Sequence, residues 1–189
     1  SAASDVYKRQ DYTVLATYLS LAFGVSGILA AMNGSPYSAL LCLMVSGLLD
    51  AFDGRIARTK KNRTEQEKRF GIQIDSLNDV VCFGVLPGVI GASLGGGEWW
   101  LRASVLFYIL AALIRLAYFN VTEEERQSAT NEHRHYYLGV PVTAAAFVMP
   151  FFWALPLRLG SAPAVIYAVG LTLLAFLFIT PLRLSLIHI

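Results

Sequence analysis

Six predominantly apolar runs, at residues 12–32, 37–52, 74–94, 99–119, 140–157 and 163–182, fill most of this 189-residue chain. A helix needs about 20 apolar residues to cross the hydrocarbon core of a bilayer. Inside that core a backbone can satisfy its own N–H and C=O groups only as a helix or a closed barrel, so runs of this length select helices. The second run is short unless its helix continues past Asp50 into the polar residues that follow. Composition points the same way. Hydrophobic residues make up 56% of the chain and charged residues 15%, against about 25% charged in a soluble domain. The expected fold is all-α: an integral membrane bundle of six transmembrane helices, forming one domain over residues 11–183. Residues 1–10 and 184–189 do not continue the neighbouring patterns and read as non-native ends, so the natural protein is expected to extend past both. The first run is long enough to span and lacks a small-residue cleavage site, so it reads as a membrane helix and not as a cleavable signal.

The same numbers exclude a disordered chain, and a net charge of +2 gives no basis for nucleic-acid binding. Cys42 and Cys82 stand alone in apolar runs with no metal-ligand spacing and read as small packing residues. Glycines inside the runs (Gly24, Gly27, Gly47, Gly84, Gly88, Gly91) suit close helix packing. Asn33-Gly34-Ser35-Pro36 and Gly95-Gly96-Gly97 are short turns. Residues 54–73 hold Arg55, Arg58, Lys60, Lys61, Arg63, Lys68 and Arg69, seven of the fifteen basic residues. The positive-inside rule puts this loop in the cytoplasm, and six spans then put both termini there too. The mixed-charge segment 120–139 is expected to be a loop on that side, with His133 and His135 solvated in it. Most of the basic run reads as topology signal and attraction to anionic lipid.

The informative residues are acids where a membrane helix should have none. Asp50 and Asp53 are three apart near the end of the second run; Asp75 and Asp79 are four apart at the start of the third. Both spacings put the pair on one helix face. Carboxylates at such depth are costly and mark function, although acids at helix ends can also simply pair with a basic loop. All-oxygen donors suit hard divalent cations, namely Mg2+, Mn2+ or Ca2+. Two such ions on shared carboxylates are a standard device for phosphoryl transfer. Gly54, Ala57 and Gly71 leave space beside the helix backbones, and Arg58 offers a forked donor to phosphate. An ion or proton path is the rival reading, but it calls for acids spread through the depth of the membrane.

Asp50-x-x-Asp53-Gly54-x-x-Ala57-Arg58, then twelve residues, then Gly71-x-x-x-Asp75-x-x-x-Asp79, resembles the signature of the CDP-alcohol phosphatidyltransferases. The commonest spacing in that family has eight residues where this chain has twelve, which implies a longer connecting loop. The resemblance implies a six-helix membrane enzyme, a homodimer with its site open to the cytoplasm, that displaces CMP with the help of two divalent cations. Mg2+ or Mn2+ is the expected ion, with Ca2+ as a substitute or inhibitor. It implies Asp50, Asp53, Asp75 and Asp79 as metal ligands and Asp79 as the general base. Asp53, Gly54, Ala57, Arg58, Gly71 and Asp75 would surround the CDP group.

Three segments bear on the acceptor alcohol. Residues 75–87 are similar to the DSLxDxxxFGxxP run of phosphatidylserine synthases, 114–120 to their RLAxFN segment and 137–143 to their GLPxT segment. Tyr118 stands where many of them carry a second arginine. The resemblance implies CDP-diacylglycerol and L-serine as substrates, in preference to glycerol 3-phosphate or an inositol phosphate as acceptor. Arg115 and Asn120 are the expected acceptor-binding residues. Arg115 can meet a carboxylate or phosphate, or can snorkel to the interface; Asn120 can bond substrate or cap its helix. Gly139-Val140-Pro141 reads as a helix entry.

Overall fold

The computed structural model describes residues 14–57, 64–129, 136–138, 140–159, 162–180 and 183–185. The first helix, α1, spans Leu15–Met32. It ends where the sequence supplies a stop. The N–H of Gly34 bonds the carbonyl of Ala31 and that of Ser35 bonds Ala30, a Schellman motif that requires the left-handed backbone at Gly34 (φ +74°). Proline then opens α2, Pro36–Ala57, at the position where its missing N–H costs nothing.

The third apolar run is one rod in three parts. Helix α3, Glu65–Asp79, passes into a π-helical stretch, Val80–Val85, and then α4, Leu86–Ser93. Helix α3 starts well before the expected 74. Thr64 closes a capping box: its hydroxyl accepts from the N–H of Glu67 (3.2 Å), and the Glu67 carboxylate accepts from the N–H of Thr64 (2.8 Å). The long spacing between Arg58 and Gly71 is therefore absorbed partly by extra helix and not only by a longer loop. Gly97 (φ +95°) sits in the turn to α5.

Helix α5, Trp99–Ala129, corrects a second expectation. Residues 120–129 continue the helix instead of opening a loop, because Glu123, Glu124, Glu125, Arg126 and Gln127 are good helix formers with no glycine or proline among them. After Pro141 a 3-10 turn, Val142–Ala144, leads into α6, Ala145–Leu159, and Pro163 opens α7, Pro163–Ile179. The described residues are helical, as expected, apart from one short antiparallel pairing of β1, Tyr136–Leu138, with β2, Arg183–Ser185. Residues 1–10, expected to be non-native, lie outside the described residues, as do His133 and His135.

The core is built by Leu43 of α2, Phe83 of the π-stretch, Leu86 and Ile90 of α4, Tyr108 of α5, Met149 of α6, and Tyr167 and Leu171 of α7, all buried. Small residues let these helices approach. A Cβ on Gly24 would collide with Cys82, and one on Gly47 would come within 2.5 Å of the Ala146 methyl. Leu15, Phe23, Leu29, Leu106, Leu110, Phe147, Phe151, Val169 and Phe176 face outward and are exposed. Among the described residues, three helices, Leu15–Met32, Gln66–Ser93 and Trp99–Glu125, are long and apolar enough to cross a bilayer, while Pro36–Phe52, Val142–Pro156 and Pro163–Ile179 are apolar but shorter.

Candidate metal centre

Helix α2 is apolar until its last turns and there carries Asp50 and Asp53. Helix α3 brings Asp75 and Asp79 toward the same place on successive turns. Oxygens of Asp50, Asp75 and Asp79 all lie within 4.8 Å of one another. Asp79 is 8% exposed and the other two are half-buried. Asp53 is helical in α2, three residues beyond Asp50 and hence on its face; its side chain lies outside the described residues.

Like charges this close raise each other's energy, and burial adds to that cost. A divalent cation removes both penalties. Oxygen ligands stand about 2.0–2.6 Å from Mg2+ or Ca2+, so donors to one ion are separated by at most about 5 Å. The three carboxylates meet that limit. Oδ1 of Asp75 and Oδ1 of Asp79 are buried and accept no hydrogen bond among the described residues, although both side chains are engaged elsewhere. An all-carboxylate donor set of this span fits a hard cation and gives no soft ligand for zinc or copper.

Gly71 lies one turn before Asp75 in α3, and Gly54 and Ala57 lie in the last turn of α2. Arg58 falls outside the described residues. Both expected acceptor residues take positions that narrow their readings. Arg115 is 8% exposed and its Nε donates to the carbonyl of Val140 (3.3 Å), so it does not snorkel. It ties α5 to the entry of α6. Asn120 lies well inside α5 and so is not a cap. Its amide is paired with the Ser76 hydroxyl, at 2.9 and 3.0 Å for nitrogen and oxygen, beside Asp75.

Sequence reasoning missed a buried polar cluster directly under the acids. Ser20 of α1, Ser46 of α2 and Cys82 of the π-stretch are fully buried, and Asn78 of α3 is 4% exposed. The two serine hydroxyls are 2.7 Å apart, and each lies 3.2 Å from the other's backbone carbonyl. Asn78 Nδ2 donates to Ser20 Oγ (3.2 Å) and Cys82 Sγ donates to Asn78 Oδ1 (3.2 Å). Cys82 is thus a packing residue, as expected, but also a hydrogen-bonding one. The available signal was a pair of serines inside apolar runs, each near a glycine, a combination that suits helix–helix contact in a membrane.

Residues 13–181 match the family model described as CDP-alcohol phosphatidyltransferase. The chain is similar to the CDP-diacylglycerol–serine O-phosphatidyltransferase of Mycobacterium tuberculosis, with 31% identity over 147 residues, covering 76% of this chain and 49% of that protein. Its counterpart in Helicobacter pylori is 36% identical over 138 residues, covering 71% and 54%. The archaetidylserine synthase of Methanothermobacter thermautotrophicus is 29% identical over 140 residues, covering 74% and 56%. The chain spans about half the length of these relatives.

Proposed function

This chain belongs to the CDP-alcohol phosphatidyltransferase family, and we propose that it transfers a phosphatidyl group from CDP-diacylglycerol to L-serine, giving phosphatidylserine and CMP. The observation that carries this reading is the meeting of the Asp50, Asp75 and Asp79 carboxylates within 4.8 Å. The serine-synthase names of the similar proteins support the acceptor.

Asp50, Asp53, Asp75 and Asp79 would hold two divalent cations, Mg2+ or Mn2+. When bound, these supply positive charge to the diphosphate and to the departing CMP. The chain's own residues do the rest. Gly54, Ala57 and Gly71 keep the backbones of α2 and α3 bare where the CDP group lies, and Arg58 meets its phosphates with a forked donor. The serine hydroxyl attacks the phosphorus that carries diacylglycerol. A new P–O bond forms to serine, the P–O bond to CMP breaks, and the hydroxyl proton passes to the Asp79 carboxylate. Arg115 receives the carboxylate of serine, with Asn120 beside it. All six apolar helices span the cell membrane, the site and both termini face the cytoplasm, and the enzyme is a homodimer among membrane lipids.

The test is the purified protein in detergent micelles, offered CDP-diacylglycerol with labelled serine, glycerol 3-phosphate or inositol phosphate in turn. Label should enter lipid from serine alone, with CMP released in step, and both Asp50→Asn and Asp79→Asn should lose the release. Incorporation of glycerol phosphate in place of serine would overturn the acceptor. No cation-dependent CMP release from any mixture would overturn the enzyme.

A further inference from the structure

We propose that Asn78 is a positioning residue for the carboxylate cluster, acting through the buried cluster it forms with Ser20, Ser46 and Cys82. The inference rests on the metal reading above. Its starting point is a physical problem. Helices α2 and α3 bring three carboxylates together, and like charges this close oppose that approach. Something else must set their spacing and rotation before a cation arrives.

The buried cluster is placed to do this. Ser46 lies four residues before Asp50, on the same face of α2. Asn78 directly precedes Asp79, and Cys82 follows it by three. Ser46 and Cys82 therefore sit about one turn deeper than the acids on the same two helices, and Asn78 joins that layer to the level of Asp79. Helix α1 is the third support, because the Ser20 hydroxyl meets both Ser46 and Asn78. The absence of a side chain at Gly24 lets Cys82 reach in. Each donor has an acceptor. The Asn78 amide bridges α1 and the π-stretch, with Nδ2 donating to Ser20 Oγ and Oδ1 accepting from the Cys82 thiol. Apolar side chains would fill the same space without fixing that rotation.

Groups that orient metal ligands typically change affinity by about 10- to 100-fold when removed. The experiment measures Mn2+ binding directly, from loss of the electron-paramagnetic-resonance signal of the free aquo ion, on the whole protein in micelles. Thermal midpoints are recorded alongside. Asn78→Ala should raise the Mn2+ Kd by about tenfold or more. Cys82→Ser keeps the donor to Asn78 and should stay within about twofold, as should Ser104→Ala, a hydroxyl bonded within α5 to Trp100 O. A merely structural role lowers the thermal midpoint of Asn78→Ala but leaves its Mn2+ Kd within about twofold of the parent, and that result overturns the proposal. Should Asn78→Ala fail to fold, Ser46→Ala is read by the same criterion. If the parent binds Mn2+ in this Asn78-dependent way yet releases no CMP from CDP-diacylglycerol, the enzyme reading falls and the positioning role stands. If the parent binds no Mn2+, the positioning role falls.

Discussion

At the scale of the residue, the close approach of three carboxylates makes each of them hard to replace. A half-buried carboxylate shared with two others has no cheap neutral substitute. Asp75→Ala should therefore leave less than about a tenth of the activity, equivalent to at least about 1.4 kcal/mol of barrier, while the protein still inserts into membranes. Turnover above that level would remove Asp75 from the ligand set. Arg115 calls for a different experiment, because it is buried against Val140 O and thus serves the fold as well as the proposed serine site. Arg115→Lys keeps the charge but loses the planar fork. It should raise the KM for L-serine about tenfold, which is about 1.4 kcal/mol of binding, and leave the KM for CDP-diacylglycerol nearly unchanged. Equal rises in both would make the residue structural only. The acids were legible because each is an ionisable group in a setting that penalises it. Ser20, Ser46 and Asn78 were not, because a small polar residue in an apolar run declares a partner without saying which helix supplies it.

Elements show where local rules stop. Apolar run length and the turn residues at Gly34 and Gly97 announce most helices. They do not reveal the π-stretch, in which the N–H of Leu86 reaches back to Val81 O, five residues away. Its cause is partly tertiary. In an α-helix the carbonyl of Phe83 would accept from residue 87, but Pro87 has no N–H. The Tyr108 hydroxyl of α5 takes that place at 2.6 Å, inside the core where an unmet carbonyl is costly. Tyr108→Phe should thus destabilise the protein by about 1–3 kcal/mol, read as a fall in the thermal midpoint in micelles. Tyr167→Phe removes a longer bond, 3.3 Å to Pro87 O, and should cost less. Equal midpoints for Tyr108→Phe and the parent would show that the Phe83 carbonyl is satisfied elsewhere. The two misjudged lengths, at the start of α3 and the end of α5, have one physical reason. Apolar runs report where a helix meets lipid, whereas capping boxes and helix-forming charged residues carry the same helix on into water.

Over the whole molecule, the apolar exterior and the acidic cluster impose opposite demands on stability. Exposed apolar side chains such as Leu15, Leu106 and Phe151 ask only for a bilayer or detergent. The cluster makes stability depend on ions, because its carboxylates come from two different helices and a cation between them acts as a cross-link. A ligand that binds only the folded state at a hundredfold excess over its Kd adds about 2.7 kcal/mol. Mn2+ should accordingly raise the thermal midpoint of the parent protein. Asp50→Asn removes the one described acid that α2 contributes. Its midpoint should respond much less to Mn2+. The sign in the presence of a chelator is the sharper test. With no cation, the parent holds three like charges within 4.8 Å of one another, whereas the variant has lost one of them. Asp50→Asn should therefore be more stable than the parent in chelator and less stable in excess Mn2+, so the two curves of midpoint against Mn2+ cross. A variant less stable than the parent under both conditions, with an undiminished response to the ion, would mean that Asp50 serves packing and that the cation, if bound, sits elsewhere. The crossing would be expected of any cluster that trades stability for a charge-dense site, and it requires no knowledge of the reaction.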